Sequence, residues 1–420
     1  MFKVSLISIG DEICIGQIVN TNASWIAAKC TNIGASVTAH SVIGDDRDEL
    51  ISELDRLVPK SGMVILTGGL GPTYDDITKK VLTEYFKDKL VLHEPTLKYL
   101  EKLFKIRGYT LTERNREQAM VPSKAKILDN KVGTAPGMLF EHNGTYIVSL
   151  PGVPAEMKYI MSNSILPHIE NIISETNEDI VFYKNFITSG IPESMLADLI
   201  GDTEKILESG TLAFLPSYKG VKLRVGISAR SFKEAEKRVN KIGQYLYNRA
   251  GRFIIGTEDE SLSSIVGKLL SELNATISVA ESCTGGMLGA ELTKISGSSK
   301  YFTGGAIVYS NMTKIKILGV DEDILEKFGA VSEEVAKELA KNVRIKFGTD
   351  FGIGITGIAG PTGGTKEKPV GTVWISLADE NVCIAQRFVF SNDRDVNRER
   401  AVGTALNILL KRLMEFKDKK

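Results

Sequence analysis

The sequence predicts an α/β protein made of three modules. Apolar, strand-like runs alternate with helix-like stretches in the first and last parts of the chain, a pattern typical of α/β domains. Polar segments interrupt this alternation twice, at 171–180 and 256–261. We therefore expect a doubly wound N-terminal domain (1–170), a small α+β module (171–256) and a C-terminal α/β domain (257–420).

The N-terminal domain alternates predicted strands and helices. VSLISI (4–9), SVTAHSVIG and MVILTGG (63–69) are predicted strands, and each precedes a predicted helix, the second at 47–58 and the third at 75–86. The strand TYIVSL (145–150), the turn PGVP and the helix AEMKYIMSNSILPHI close the domain. Helices of this length between strands predict a parallel, doubly wound sheet.

The other two modules follow from the same patterns. The middle module shows the order β-α-β-β-α, with a strand at 181–188 and a closing helix at 231–250. In the C-terminal domain the strand ATISVA leads into the turn SCTGG, and further strands are predicted at 350–356, 371–378 and 382–390. A final helix completes this second α/β unit.

The composition excludes several classes of function. The 420 residues include 52 basic and 52 acidic side chains, and a net charge of zero argues against a general nucleic-acid or anionic-membrane binder. No uncharged apolar run approaches the roughly 18 residues of a membrane span, and Asp11 and Glu12 interrupt the first apolar stretch, so no signal peptide is expected. The four cysteines stand far apart, which suits a reducing cytoplasm rather than a zinc site.

Histidine restricts the chemistry of the C-terminal domain. The chain has four histidines, and the last of them is His168. Any catalysis confined to the C-terminal domain must therefore run without imidazole, unless another domain or chain supplies the base. A Ser-His-Asp or Cys-His site within this domain is thus excluded.

Glycine-rich turns follow several strands of the N-terminal domain. TGGLGPTYDD (67–76) joins a strand to a helix, and its glycines allow close backbone approach to an anion. It lacks the G-K-[ST] of a P-loop. Asp75 and Asp76 either cap the helix or hold a divalent cation against phosphates. Three other turns are rich in polar or glycine residues: GDEICIGQIVNTN, GTAPGM and LPGVPAEM. Together the four turns are predicted to form the rim of a site for a phosphate-containing ligand.

In the C-terminal domain, the turn AESCTGG offers Ser282, Cys283 and Thr284 at a predicted helix N-terminus, whose amides could hold an oxyanion. Lys314 lies in a predicted helix after Tyr309, and a desolvated lysine can serve as general base. Each of the three turn residues is a candidate nucleophile, and Cys283 rivals Ser282 because a thiolate is the stronger nucleophile. The plainer alternatives are that Ser282 only caps the helix and that Lys314 is a surface charge.

These motifs together resemble the CinA family, the competence/damage-inducible proteins. They occur in the family's order over nearly the whole chain: the four N-terminal turns, then AESCTGG, YFTGGAIVYSN, GAVSEEVA, TGIAGPTGGTKEKPVGTVW and SNDRDVNRERA. The resemblance implies an N-terminal domain with the molybdopterin-binding fold and metal-dependent ADP-ribose pyrophosphatase activity. It also implies a KH-like middle module, a C-terminal nicotinamide mononucleotide (NMN) deamidase domain and a homodimer.

For the C-terminal domain, the resemblance implies Ser282 as nucleophile and Lys314 as base, with Tyr309 relaying the proton or orienting the lysine. The residues implied in substrate binding are Thr284, Gly285, Thr356, Gly357 and Arg394. Asn392 stands where the family has glycine, which bears on the placement of Arg394. No cofactor is implied for this domain.

For the N-terminal domain, the resemblance implies a divalent cation (Mg²⁺, Mn²⁺ or Co²⁺) near Asp75 and Asp76, with Glu12 and Glu156 as further acidic candidates. The residues implied in substrate binding are Asn20, Gly68, Gly69, Gly71 and Thr73.

The expected function is therefore pyridine-nucleotide recycling. One domain would convert NMN to nicotinate mononucleotide and ammonia, and the other would split ADP-ribose into AMP and ribose 5-phosphate. The alternatives are activity in one domain only, or a non-catalytic accessory protein of competence or DNA repair. The middle module lacks the basic G-x-x-G loop with which KH domains clamp RNA, so a spacer or dimerisation role is expected. We expect a cytoplasmic protein that binds neither membrane nor nucleic acid.

Overall fold

The computed structural model describes residues 1–73, 76–176, 179–217, 220–257 and 260–417. The chain divides into two compact units. One comprises Met1–Tyr183, Ser209–Thr211 and Gly226–Lys241, and the other comprises Lys184–Glu208, Leu212–Val225 and Ile242–Lys420. No helix within the described ranges has the length and apolarity needed to cross a bilayer.

The N-terminal domain contains eight strands and eight α-helices within the described residues. In chain order they are β1 (Lys3–Ile9), α1 (Asp11–Cys14), α2 (Thr21–Asn32), β2 (Ser36–Ile43), α3 (Arg47–Leu57), β3 (Met63–Thr67), α4 (Thr78–Tyr85), β4 (Leu90–Leu92), α5 (Glu94–Ile106), α6 (Glu113–Arg116), β5 (Met120–Pro122), β6 (Lys126–Leu128), β7 (Gly137–His142), β8 (Thr145–Leu150), α7 (Pro154–Ile160) and α8 (Leu166–Glu175).

The main sheet of this domain has the order β2-β1-β3-β8-β7-β6. The first four strands in this order are parallel to one another, as predicted. Strand β7 is antiparallel to both β8 and β6, so the sheet is mixed. Asn143 and Gly144 join β7 to β8 in a two-residue turn, with φ of 50° and 77°. The predicted turn GTAPGM is correspondingly shorter, because its last two residues, Gly137 and Met138, belong to β7.

The sheet is covered on both faces, which makes the domain doubly wound. Val4 and Leu6 of β1 pack with Ile26 of α2 on one face. Ile7 of β1 packs with Leu50 of α3 on the other face. Side chains alternate along a strand, and β1 is buried at every position from Val4 to Ile9, as a strand between two helical layers requires.

The middle module contains a four-stranded sheet of order β10-β11-β9-β12. Its elements are β9 (Ile180–Thr188), α9 (Glu193–Ile200), α10 (Glu204–Leu207), β10 (Thr211–Ser217), β11 (Gly220–Ala229), α11 (Phe232–Ala250) and β12 (Ile254–Thr257). The predicted β-α-β-β-α order is present, and β12 adds a strand that pairs antiparallel with β9.

The C-terminal domain contains five strands and six α-helices within the described residues. They are α12 (Leu262–Glu272), β13 (Ile277–Glu281), α13 (Met287–Thr293), β14 (Phe302–Ile307), α14 (Asn311–Leu318), α15 (Glu322–Phe328), α16 (Glu333–Phe347), β15 (Phe351–Gly357), β16 (Thr372–Ala378), β17 (Cys383–Val389) and α17 (Arg394–Lys417).

The sheet of the C-terminal domain has the order β14-β13-β15-β16-β17. Strand β13 is parallel to both of its neighbours, β14 and β15, whereas β16 is antiparallel to both β15 and β17. Ile277 and Val279 of β13 face a core shared with α12, α13 and α17, and Ala280 faces a second core shared with α14 and α16. The carboxyl ends of β14, β13 and β15 therefore meet at one edge, where ligands collect in α/β sheets.

Candidate functional site

A buried lysine contacts the predicted serine nucleophile at this edge. The Nζ atom of Lys314 lies 3.2 Å from Oγ of Ser282, 2.9 Å from the carbonyl oxygen of Val308 and 3.2 Å from that of Tyr309. Lys314 is only 1% exposed and has no acidic partner among these three contacts. Burial lowers the pKa of its ammonium group, because a charge loses hydration in the interior.

The sequence folds this way because two short turns follow adjacent parallel strands. Ser282 directly follows β13, and its amide donates to the carbonyl oxygen of Ile355 at 3.0 Å. Lys314 lies in the first turns of α14, whose N-cap is Ser310. Glu281 of β13 is paired with Ile307 of β14 in the sheet register, which brings the two turns side by side.

The turn after β13 is held by the carboxylate of Glu281. This side chain is buried and accepts hydrogen bonds from the amides of Gly286, Leu288 and Gly289 at 2.8–3.1 Å. The helix amides that we expected to hold an oxyanion are therefore already engaged by Glu281. The amides of Cys283 and Thr284 are not among those that Glu281 binds.

Positive φ angles explain the two glycines of this turn. Gly285 has φ of 64° and Gly286 has φ of 96°, values that favour glycine. Gly285, which was predicted to bind substrate, thus has a conformational role. A Cβ atom added at Gly285 would lie 3.7 Å from Nη2 of Arg398.

Cys283 points into the hydrophobic core between the sheet and α17. Burial raises the pKa of its thiol to about 12. The thiolate is the nucleophilic form of cysteine, so a thiol of this kind is inert at neutral pH. The environment of Cys283 therefore argues against its candidacy as nucleophile.

Tyr309 contacts Lys314 through its backbone and Arg394 through its side chain. Its phenol oxygen accepts from Nη2 of Arg394 at 3.1 Å, and Nη1 of Arg394 donates to the carbonyl oxygen of Gly360 at 2.9 Å. The tyrosine is 60% exposed. Its carbonyl oxygen orients the lysine, whereas its phenol group and Arg394 link the strand end to the glycine-rich loop after β15.

Two other predicted substrate-binding residues serve the sheet. The hydroxyl of Thr356 donates to the carbonyl oxygen of Ala330 at 2.7 Å, so its proton is committed to the backbone. Gly357 lies so close to β16 that a Cβ atom there would approach the carbonyl oxygen of Thr372 to 2.8 Å. The close packing of β15 against β16 thus explains why position 357 is a glycine.

Arg398 is a residue of this site that the sequence reasoning missed. It lies one helical turn after Arg394 on α17, and its Nη2 donates to the carbonyl oxygen of Thr284 at 3.2 Å. Nε of Arg398 and Oγ1 of Thr284 are both buried and have no hydrogen-bond partner among the described residues. The i, i+4 spacing of two arginines after the SND turn was the available signal, since such residues share a helix face.

A cleft of about 420 Å³ opens at the carboxyl ends of β1, β3 and β8. It gathers most of the predicted N-terminal site, and its lining includes Glu12, Asn20, Gly68, Gly69, Gly71, Asp76 and Glu156. A volume of this size is in the usual range of small-molecule sites. Thr73 is not among the lining residues, and Asp75 lies outside the described residues.

Asp76 braces the glycine-rich loop of this cleft. One of its carboxylate oxygens accepts from the amide of Gly71 at 2.6 Å, and the other accepts from the amide of Thr73 at 2.8 Å and from the Thr73 hydroxyl. The amides of Gly71 and Thr73, two of the residues implied in substrate binding, are thus bound to a carboxylate. This arrangement is closer to the predicted capping role of an aspartate than to a free metal ligand.

The remaining predicted residues of the cleft also have structural contacts. Asn20 caps α2 by accepting from the amide of Ala23 and donates to Oγ of Ser8. Gly68 has φ of 110° and lies against β1, where a Cβ atom would meet the carbonyl oxygen of Ile9 at 2.2 Å. Glu156 accepts from the side-chain amide of Asn130.

Gly69 and Glu12 complete this set. Gly69 has φ of 64°, and a Cβ atom there would meet the Thr78 hydroxyl at 2.2 Å, so α4 can approach this closely only because the residue is glycine. Glu12 is exposed at the rim of the cleft.

The described acidic residues do not by themselves fit a divalent cation. No three aspartate, glutamate, histidine or cysteine side chains in the described ranges converge as metal ligands do. Both oxygens of Asp76 are engaged by the loop. We therefore assign no catalytic step to a cation.

The fold and the two sites define a modular α/β protein with an N-terminal cleft in the size range of small-molecule sites and a C-terminal serine–lysine pair. Three family models match in sequence order: a probable molybdopterin binding domain at residues 5–171, a damage-inducible protein CinA KH domain at 183–256 and a CinA C-terminal domain at 259–413. The chain belongs to the CinA family.

Two relatives that align over nearly the whole chain support this assignment. A CinA-like protein of Cytophaga hutchinsonii is 42% identical over 98% of both chains. A putative competence-damage inducible protein of Clostridium tetani is 40% identical over 98% of this chain and 100% of its own. Among solved structures, the chain is similar to the competence/damage inducible protein CihA from Agrobacterium tumefaciens. The sequence identity is 36% and the TM-score is 0.35, and the match covers 36% of this chain and 92% of the CihA chain.

Proposed function

We propose that the C-terminal domain hydrolyses the carboxamide of NMN to give nicotinate mononucleotide and ammonia. The observation that carries this proposal is the 3.2 Å contact between Nζ of buried Lys314 and Oγ of Ser282. A serine beside a desolvated lysine is an activated nucleophile that needs no histidine. The last histidine of the chain is His168, outside this domain.

As an ammonium group Lys314 donates to all three of its contacts, and the base proposed here is its neutral form. A neutral amine has two N–H donors and one lone pair. The carbonyl oxygens of Val308 and Tyr309 accept the two donors, at 2.9 and 3.2 Å, which leaves the lone pair for the proton of Ser282. Burial lowers the pKa of Lys314 and so increases its neutral fraction.

The reaction then proceeds in two steps. Oγ of Ser282 attacks the carboxamide carbon while Lys314 takes the hydroxyl proton, and the tetrahedral intermediate collapses as Lys314 returns this proton to the departing ammonia. A water molecule then attacks the resulting ester, and Lys314 takes its proton. The serine leaves with that proton, and the carboxylate product is released.

The residues next to the pair offer contacts for the rest of the substrate. Arg398 has a buried Nε without a partner, and Thr284 has a buried hydroxyl without a partner, counted over the described residues. Arg394 adds a second guanidinium on the same helix. We propose that Arg398 binds the phosphate group of the nucleotide, because guanidinium groups favour phosphate oxygens.

Ammonia release from NMN tests this function. The wild-type protein should release ammonia, Ser282→Ala should lose this activity, and Cys283→Ala should retain it. Full activity of Ser282→Ala with loss in Cys283→Ala would reverse the choice of nucleophile. DNA binding at physiological ionic strength without any turnover of NMN would favour the accessory role instead.

We propose a second activity, hydrolysis of ADP-ribose to AMP and ribose 5-phosphate, for the N-terminal cleft. It is supported by the cleft's size and by its position at the carboxyl ends of three parallel strands. AMP release with and without Mg²⁺ tests both the activity and the predicted cation requirement. Glu12→Gln should reduce it, whereas Glu175→Gln, exposed on α8, should not.

A further inference from the structure

Two carboxamide side chains of the N-terminal cleft carry acceptor atoms without a partner. Oε1 of Gln118 and Oδ1 of Asn22 are buried and form no hydrogen bond with any described residue. Both residues line the cleft of about 420 Å³. Gln118 is only 4% exposed, so water in the bulk does not replace the missing partner.

Hydrogen bonds hold Asn22 through its side chain and Gln118 through the backbone of its turn. The Nδ2 atom of Asn22 donates to the carbonyl oxygen of Gly152 at 2.7 Å, which orients its Oδ1 as an acceptor. Gln118 lies in the turn Glu117–Ala119, which is anchored by Lys79 Nζ donating to the carbonyl oxygen of Glu117 and by the amide of His93 donating to that of Ala119. Oδ1 of Asn22 is thus oriented by the side chain's own hydrogen bond, whereas Gln118 is held in the cleft lining by the backbone contacts of its turn.

A buried acceptor without a donor is costly, and most native polar groups avoid this state. An ionised phosphate has acceptor oxygens and no donor, so it cannot satisfy Gln118 or Asn22. The carboxylates of Glu12 and Glu156 also line this cleft and can only accept hydrogen bonds, whereas both oxygens of Asp76 are already engaged by the loop. The ligand of this cleft must therefore present several hydrogen-bond donors.

We propose that Gln118 and Asn22 accept hydrogen bonds from the hydroxyl groups of a pentose in the ligand. The two acceptors come from separate segments, α2 and the turn after α6. A pentose carries separate hydroxyl donors around its ring, whereas an exocyclic base amine offers both donors from one nitrogen. This inference rests on the proposal that the cleft takes a nucleotide sugar.

Binding of ADP-ribose to the full-length protein, measured by isothermal titration calorimetry, tests the inference. Gln118→Met is nearly isosteric and removes the acceptor, so the dissociation constant should rise about tenfold, as the loss of one such hydrogen bond predicts. Without ligand this variant should melt at or above the wild-type temperature, because it removes an unpaired buried polar atom. Gln17→Met, exposed and outside the cleft lining, should bind like the wild type.

A second ligand separates the pentose from the base. Inosine diphosphate ribose lacks the adenine amine, and Gln118→Met should weaken its binding by the same factor. A loss confined to ADP-ribose would assign the amine as donor and overturn the inference. Equal binding by wild type and Gln118→Met, or no binding by the wild type, would also overturn it. Binding without AMP release would reject the proposed hydrolysis and leave this inference standing.

Discussion

Lys314 and Ser282 are 32 positions apart in the sequence, yet Nζ of the lysine lies 3.2 Å from Oγ of the serine. The parallel pairing of β13 and β14 accounts for this contact, because it aligns the ends of the two strands. The amide of Val308 donates to the carbonyl oxygen of Glu281 at 2.8 Å and extends the pairing up to the turn. The sheet thus positions both partners of the pair.

The first prediction concerns the base. Lys314→Met should lower kcat for ammonia release from NMN by about 10³-fold, the usual size of a lost general base. Lys316→Met provides the matched control, since Lys316 is exposed two positions later on the same helix. A Lys314→Met protein with wild-type kcat would exclude the lysine as base.

The second prediction concerns pH. Only neutral Lys314 can accept the proton of Ser282, so kcat should rise with pH and level off above the pKa of the lysine. Burial lowers this pKa, so the plateau should begin below the ordinary lysine value of 10.5. A pH profile of kcat for NMN checks this sign. Activity that falls as pH rises, or that appears only above 10.5, would contradict the neutral-lysine mechanism.

Sequence patterns were sufficient for the parallel strands but not for the mixed sheet. Strands such as β3 are unbroken apolar runs, which predict a buried parallel strand directly. The β7–β8 hairpin was missed, although Asn143-Gly144 is a typical two-residue hairpin turn. The predicted glycine turn at 133–138 overlapped the start of β7 and obscured it.

The candidate site was predictable in its residue types and less so in its contacts. The C-terminal domain has no histidine in its sequence, and this pointed to Lys314 as the base. The commitment of Asp76 to the Gly71 and Thr73 amides was not predictable, because it depends on how a short loop folds back. The role of Arg398 was not predicted for a similar reason, because only the packing of α17 brings this residue beside Thr284. The domain boundaries and the homodimer stay predictions.

The third prediction separates the cysteines. Cys14 and Cys383 are exposed, whereas Cys30 and Cys283 are buried, with burial raising the pKa of each of these two thiols to about 12. Iodoacetamide should therefore modify Cys14 and Cys383 in the folded protein and leave NMN turnover intact, as peptide mass spectrometry can show. Rapid labelling of Cys283 with parallel loss of activity would support the cysteine nucleophile.

The fourth prediction concerns the carboxylate that holds the nucleophile's turn. Glu281→Gln removes the charge from three hydrogen bonds to the start of α13, so unfolding in urea should show a loss of about 1–3 kcal/mol. The kcat should fall as well, because the turn orients Ser282. Glu322→Gln, exposed in the first turn of α15, is the control and should change neither quantity appreciably. An unchanged stability of Glu281→Gln would contradict this account of the turn.

The last prediction concerns selection of the phosphorylated substrate by Arg398. Its guanidinium contacts the carbonyl oxygen of Thr284, two residues after the nucleophile, and its buried Nε has no partner among the described residues. Arg398→Met should raise KM for NMN about tenfold, as expected for a lost charge-assisted hydrogen bond, and leave kcat nearly unchanged.

Nicotinamide riboside, which lacks the phosphate, provides the decisive comparison. If Arg398 binds the phosphate, its removal should affect turnover of NMN and leave the much weaker turnover of the riboside unchanged. Asp395→Asn serves as the control, because it breaks the 3.4 Å ion pair with Arg398 and keeps the guanidinium. Equal losses with both substrates would show that Arg398 supports the turn rather than the phosphate.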